Sequence, residues 1–251
     1  MIKKFNELQK GVILSELAGY TNGRFCAVNG KGASLVMLGT YIIDDSDLVD
    51  YPQEFVFKSG PDNYYGYLVE NIARAKESGA KVGVSAVSIN MRDSLEFLLT
   101  AQKAGADFAS YCAHSIMEMF INNNTSSALL LRKNWGELRN LIRNMLKYIE
   151  IPLIFKIGAF DNPDVIDAIE LLRDEGISII HINIKSRPKN IGIDFLKELN
   201  KENMLIIAGS GVRDIKSAAR ILETGVNAIS IGAASIKNPD ICGNLQKLIR
   251  Q

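Results

Sequence analysis

Short runs of apolar, largely β-branched residues recur along the whole chain without polar alternation: Val12–Leu14, Ser34–Leu38, Lys81–Val87, Asp107–Tyr111, Pro152–Ile157, Ile179–Ile184, Leu205–Ala208 and Ala228–Ile231. A strand that is apolar on both sides belongs in a parallel sheet covered on both faces, so the pattern predicts eight such strands. Between them apolar positions fall at helical spacing. Leu68, Ile72 and Ala75 lead to Gly79; Leu95, Leu98 and Ala101 to Gly105; Val165, Ile169 and Leu172 to Gly176; Ala218, Ile221 and Leu222 to Gly225. Leu138, Leu141, Ile142 and Met145 mark a further helix. The glycine after a last apolar position stops a helix, because it takes the left-handed conformation without steric cost. Eight strands alternating with helices close into a barrel, whereas an open doubly wound sheet usually has fewer. The predicted fold is therefore one (β/α)8 TIM barrel over residues 1–251, with no linker. One connection breaks the spacing. Residues 44–63, rich in Asp, Pro, Gly and Tyr, follow the second strand at the end of the barrel where sites form, and read either as a lid or as a solvated insertion.

Composition narrows the partners. Of 251 residues 47% are hydrophobic and 23% charged, and 29 Lys and Arg stand against 28 Asp and Glu, a net charge of +1. So balanced a chain argues against gripping nucleic acid through its phosphates. No apolar run approaches the roughly 20 residues that span a bilayer. The start, Met1-Ile-Lys-Lys-Phe, lacks the apolar stretch of a signal peptide. Cys26, Cys112 and Cys242 are spaced too widely for a disulfide framework or a paired metal motif. The expectation is a cytoplasmic protein without a metal that acts on a small molecule; a homo-oligomer is compatible with it.

Barrel chemistry belongs at the C-terminal strand ends. The seventh run ends in Ala208-Gly-Ser-Gly-Val-Arg-Asp and the eighth in Ile231-Gly-Ala-Ala-Ser-Ile. Two glycine-rich turns on adjacent strands, each feeding a helix, present clustered amides to an anion, the usual phosphate site of this barrel. The alternative is that these glycines serve tight turns alone. Lys156 interrupts the fifth apolar run, and an unpaired ammonium is too costly to bury, so it points into the barrel mouth or snorkels at the rim. His181 lies in the sixth run, as a core histidine or beside the ligand. Cys112, His114 and Ser115 follow the fourth run as a cluster of proton-handling groups, without the third partner a hydrolytic triad needs. Arg139, Arg143 and Lys147 have the spacing of a solvated helix face, and Lys185, Arg187 and Lys189 form a basic stretch after the sixth run.

Leu14-Ser-Glu-Leu-Ala-Gly-Tyr-Thr-Asn22 with Phe25-Cys26, Ile151-Pro-Leu-Ile-Phe-Lys156, Ile180-His181, Ile206-Ile-Ala-Gly-Ser-Gly-Val and Ile231-Gly-Ala-Ala-Ser-Ile-Lys-Asn-Pro239 occur in the order of a known set of motifs. In this the chain resembles the FMN-dependent barrel superfamily of tRNA-dihydrouridine synthases and dihydroorotate dehydrogenases, over nearly its whole length. The resemblance implies FMN as cofactor. Ala18 and Gly19 would lie under the flavin ring, Ser85 near a polar contact to it, and Lys156 at its pyrimidine edge. His181, Gly209, Ser210, Gly211, Gly232 and Ala233 would surround the ribityl chain and phosphate. A flavin needs such a dianion cradle, an apolar floor and a cation near its electron-rich edge.

The departures are specific. Ser115 stands where the synthases carry a catalytic cysteine, and would act with His114 as the proton exchanger; Cys112 replaces an asparagine, Glu16 a proline and Ala233 an arginine. Few residues follow Pro239, where the synthases carry a tRNA-binding domain, so tRNA is not the expected substrate. The resemblance implies an oxidoreductase acting on a C–C double bond of a small cyclic, pyrimidine-like compound. The alternatives are a non-redox lyase, isomerase or synthase acting on a phosphorylated metabolite, and a flavin-binding homologue without turnover.

Overall fold

The computed structural model describes residues 2–46, 50–160, 162–184 and 191–250. Eight strands carry the fold: β1 (Gly11–Leu14), β2 (Leu35–Ile43), β3 (Lys81–Ser88), β4 (Phe108–Ala113), β5 (Leu153–Gly158), β6 (Ile179–Asn183), β7 (Leu205–Gly209) and β8 (Ala228–Ile231). Each feeds a helix: α1 (Gly23–Asn29), α2 (Tyr65–Lys76), α3 (Met91–Lys103), α4 (Trp135–Tyr148), α5 (Asp164–Asp174), α6 (Ile191–Glu198), α7 (Ile215–Leu222) and α8 (Ile241–Arg250). The strands pair in parallel in chain order. β1 also pairs with β8, Gly11 opposite Ala228, as well as with β2, Ile13 opposite Leu35, and this closes the sheet. The fold is a (β/α)8 barrel. The helix stops expected from the sequence hold: Gly79 and Gly105, for example, have φ of +80° and +96°, where a side chain would be strained.

Alternate side chains of each strand point into the lumen. Its N-terminal half is packed with Ile13, Leu35, Met37, Phe108, Ile154, Ile179, Leu205, Ile207 and Ala228, and Phe5 and Leu8 of the leading segment plug its base. One inward step further along the strands, the residues turn polar: Ser110 on β4, Lys156 on β5, His181 on β6 and Ser230 on β8, all buried. Strand register sets Cys112, Lys156 and His181 side by side. The polar layer that begins there is the floor of the barrel mouth.

Two features differ from expectation. β2 runs past Leu38, the end of the expected run, to Ile43, with its register against β3 shifting between Leu38 and Tyr41 around Gly39. The described part of the 44–63 connection is packed rather than merely solvated. Val56 and Phe57 add a short parallel strand to β2, Phe55 is buried, and Tyr41 stacks on Phe55 at 5.3 Å.

The place where β1 lies beside the start of β2 is clasped from α8. Gln246 Oε1 accepts from Val12 N at 2.8 Å and from Ser34 Oγ at 3.0 Å, and its Nε2 donates to Lys10 O at 2.9 Å. Gln246→Ala strands the buried Val12 amide and is expected to cost about 1–3 kcal/mol. A urea-denaturation midpoint equal to that of the wild type would show that the clasp is dispensable.

Candidate active site at the barrel mouth

The turns after β7 and β8 approach closely because Gly209 has no side chain: a Cβ there would lie 1.8 Å from Ser230 Oγ. Ser210 and Gly211 both occupy the left-handed region, φ +89° and +82°. For serine that conformation costs on the order of 1–2 kcal/mol, strain that clusters at ligand sites. After β8, Gly232 and Ala233 lead into a short extra helix, Ala234–Lys237. Among the described residues the amides of Gly211, Val212, Gly232 and Ala233 donate to no backbone acceptor in the turns and caps. These residues line a hollow of about 310 Å³, together with Ser15, Glu16, Ala18, His114, Lys156, His181, Asn183, Arg213 and Ser230. Paired free amides with a short helix beyond β8 are the barrel's anion-binding arrangement.

Below the turns lies a buried charged centre. Lys156 Nζ is 2.9 Å from Glu16 Oε1, with side chains only 6% and 2% exposed. Glu16 Oε2 accepts from Ser15 Oγ at 3.0 Å and faces His181 Nδ1 at 3.8 Å; His181 Nε2 meets Ser230 Oγ at 2.7 Å. Burial alone would raise the Glu16 carboxyl, but the Lys156 ammonium and His181 outweigh it and hold it at about 2. Burial, then the charge of Lys156, pushes His181 down to about 3 and His114 down to about 4. Both imidazoles are therefore neutral near pH 7. His114 Nε2 and Asn183 Nδ2 are 2.8 Å apart across the mouth.

A second chamber of about 220 Å³ adjoins the hollow. It shares Glu16, Ala18, His114 and Lys156 with the hollow and adds Thr40, Ile42, Tyr51, Val87, Cys112, Ser115, Met117 and Phe120. Its walls are mostly apolar. Tyr51, from the long connection, donates to Thr40 O at 3.0 Å. The loop carrying His114 and Ser115 is held by Ser126 and Ser127: Ser126 Oγ accepts from Ser115 N at 3.0 Å and donates to Cys112 O at 2.8 Å, while Ser127 Oγ donates to Ser115 O at 2.6 Å. A roomier groove of about 470 Å³ lies at the opposite face, among Lys76, Lys81, Asp107 and Arg250. Its Asp107 is taken up by Lys81 at 3.2 Å, and that end of a barrel serves stability rather than chemistry.

Of the sequence-predicted residues, Gly209, Ser210, Gly211, Gly232, Ala233, His181, Lys156, His114 and Ala18 line the hollow, and Ser115 lines the inner chamber. Lys156 is in the mouth, but it is not the free cation the sequence suggested, because Glu16 neutralises it. Ser85 lines neither cavity: it is fully buried and shares a hydrogen bond with Thr40 at 3.2 Å. Gly19 also lines neither; Pro52 Cγ would lie 3.1 Å from a Cβ placed there. Glu16, Asn183, Arg213 and Tyr51 are site residues that sequence reasoning missed. The signal for Glu16 is its place, an acid two residues beyond an apolar strand end. Arg143 pairs with Glu175 at 2.8 Å on the surface, and the basic stretch at 185–189 lies outside the described residues.

Comparison with known proteins divides the chain. Residues 155–251 match the family described as histidine biosynthesis protein. An uncharacterised protein of Methanocaldococcus jannaschii is 25% identical over 232 residues, 88% of each chain. The 1-(5-phosphoribosyl)-5-((5-phosphoribosylamino)methylideneamino) imidazole-4-carboxamide isomerase of Streptococcus sanguinis is 27% identical over 85 residues, 32% of this chain and 34% of that protein. Imidazole glycerol phosphate synthase subunit HisF of Helicobacter hepaticus is 29% identical over 89 residues, 34% and 36% of the two chains. Among solved structures, morphinone reductase in complex with tetrahydroNAD aligns with a TM-score of 0.71 at 12% identity, over 95% of this chain and 86% of that one. DHODH in complex with ferulenol from Eimeria tenella aligns at 0.67 and 14%, over 96% and 82%. At these identities the structural likeness shows the fold alone. Among the described residues no helix is long and apolar enough to cross a membrane.

The charged centre makes two expectations. Between their ordinary value of 6.5 and the depressed folded values, both histidines take up protons more readily in the unfolded chain. Their contribution is complete above about pH 6.5 and falls as the pH drops toward 4 and 3; Glu16, ordinarily 4.5, extends the loss below pH 4.5 toward 2. The urea midpoint of the wild type should fall between pH 7 and pH 5, and His181→Gln should flatten that fall; equal midpoints at the two pH values would contradict neutral buried imidazoles. Glu16→Ala leaves a buried ammonium unpaired and is expected to cost about 3–5 kcal/mol. The double variant Glu16→Leu/Lys156→Met should lose less than the sum of its singles, and strict additivity would deny the pairing.

Proposed function

We propose that this chain binds FMN by its phosphate at the turns after β7 and β8, and acts as a flavin-dependent oxidoreductase on a C–C double bond of a small cyclic, pyrimidine-like compound. The observation that carries the reading is that the amide-lined hollow and the mostly apolar chamber are neighbours, with Glu16, Ala18, His114 and Lys156 as walls of both. A small sugar phosphate fills the outer hollow and leaves the apolar chamber without use. A phosphate ester bearing a planar ring, with a second ring to react with, uses both. The order of the sequence motifs supports the cofactor.

The residues present fit such a ligand. The amides of Gly211, Val212, Gly232 and Ala233 would hold the phosphate, and Ala18 offers a small-residue floor between the two cavities. When bound, FMN supplies hydride transfer to or from carbon. Lys156 would donate a hydrogen bond at the ring's edge, with its charge reduced by Glu16. Ser115 would exchange the proton at substrate carbon. Its Oγ accepts from Met117 N at 3.3 Å, which leaves the hydroxyl proton to be donated; neutral His114, whose Nε2 accepts from Asn183 Nδ2 at 2.8 Å, would carry its own proton on Nδ1 as a second donor.

A second reading is favoured by two observations. The segment that matches the histidine-biosynthesis family contains both phosphate turns, and the centre of the mouth holds an ionised Glu16 where the flavin-barrel pattern has proline. On this reading the ligand is a phosphorylated metabolite that is isomerised or condensed without redox chemistry.

Flavin titration separates them. The purified chain should quench FMN fluorescence on binding, and after photoreduction the bound flavin should be reoxidised by a cyclic C=C compound such as a uracil derivative. Failure to bind FMN, with binding of a phosphorylated imidazole or sugar instead, moves the assignment to the second reading. Binding without reoxidation by any such compound leaves a flavin-binding protein without this turnover.

A further inference from the structure

We propose that Arg213 supplies the net positive charge that holds the ligand's phosphate. The inference rests on the phosphate-binding reading, not on which ring the phosphate carries. A phosphate monoester is close to a dianion at neutral pH, and amides alone neutralise it only partly. Among the described residues lining the hollow, the charged side chains are Glu16, Lys156 and Arg213. The first two cancel at 2.9 Å, and the histidines are neutral. That leaves Arg213 as the one charge among those lining residues whose counter-charge does not itself line the hollow.

Its setting is that of a guanidinium kept available. Arg213 follows the strained Ser210–Gly211 turn and is exposed, and its charge is among the causes that hold the next residue, Asp214, below the ordinary carboxylate value. Its backbone is fixed, donating from N to Ser217 Oγ at 2.9 Å. The neighbouring carboxylate, Asp214, is turned to the start of α7, where Oδ1 accepts from Ser217 N at 2.7 Å in a capping box. Nor does the β8 turn contribute a cation, since Ala233 stands there. A planar fork of donors at this point can take two phosphate oxygens at once, which an ammonium cannot.

The test compares wild type, Arg213→Ala and Arg213→Lys for binding of FMN, riboflavin and inorganic phosphate, at two salt concentrations. Arg213→Ala should weaken FMN and phosphate by roughly 10- to 100-fold, the range for hydrogen bonds to a charged group, and reduce the salt dependence. It should leave riboflavin, which lacks the phosphate, unchanged, with the thermal midpoint of the wild type. Arg213→Lys should keep the salt dependence and recover only part of the affinity. Equal FMN affinity in Arg213→Ala and wild type, or an equal loss for FMN and riboflavin, overturns the assignment while the proposed function stands. Phosphate binding that depends on Arg213 in a chain that takes no FMN keeps the assignment and overturns the flavin reading. A wild type that binds neither FMN nor phosphate overturns both.

Discussion

An ammonium cannot be taken out of water without a counter-charge, and Lys156 sits where the lumen changes from apolar to polar. The rest of the mouth is arranged around that constraint. Glu16 meets the lysine from the end of β1, and Ser15 and His181 face the carboxylate's second oxygen. Ser230 of β8 then receives the far side of the histidine ring. One ion pair, with the hydrogen-bonded His181 and Ser230 beside it, thus ties together the rims of β1, β5, β6 and β8, each of which contributes lining to the hollow. Removing either partner would leave a buried charge, so the pair is a commitment of the fold as well as a feature of the site.

The division of labour along each strand comes from the pleat. On β5 the inward residues run from Ile154 to Lys156, on β6 from Ile179 to His181, and on β8 from Ala228 to Ser230. The first of each pair belongs to a dry layer that Phe5 and Leu8 seal from below; the second belongs to the chemistry. A slip of one residue in register would exchange lumen and helix-facing positions, so β-strand register fixes both the core and the site.

This is also why most of the fold is legible in the sequence. Strands buried on both faces must be apolar throughout, so the run Leu205–Ala208 falls within one residue of the observed Leu205–Gly209. The expected run of β2 stops at Leu38, where Gly39 and Thr40 interrupt the apolar residues, although the strand continues to Ile43. The phosphate turns, Lys156, His181, His114 and Ser115 are legible because they lie at or just past the C-terminal ends of the apolar runs, and a barrel gathers those positions at one mouth. Pairing is not legible locally. Glu16 and Lys156 lie far apart in the chain, and the cost of burying the lysine demands a partner without saying which. Ser85 shows the converse error: a polar residue on a strand can be satisfied within the wall, here by Thr40 across the β2–β3 pair.

The two proposed readings become compatible once the two chambers are considered separately. The outer hollow is built largely from β5 to β8, the stretch that matches the histidine-biosynthesis family, and a phosphate anchor there, as proposed, would serve either chemistry. The inner chamber draws on Thr40, Ile42, Tyr51, Val87, Cys112 and Phe120, all outside that stretch. A phosphate-anchored barrel becomes a flavin enzyme or an isomerase by what it places beyond the anchor. On the proposed reading that choice would lie in β2 to β4 and the packed connection after β2, where the walls are mostly apolar. Such walls favour a flat ring over a polyhydroxylated chain, because each sugar hydroxyl taken in without a partner would lose its hydrogen bonds to water.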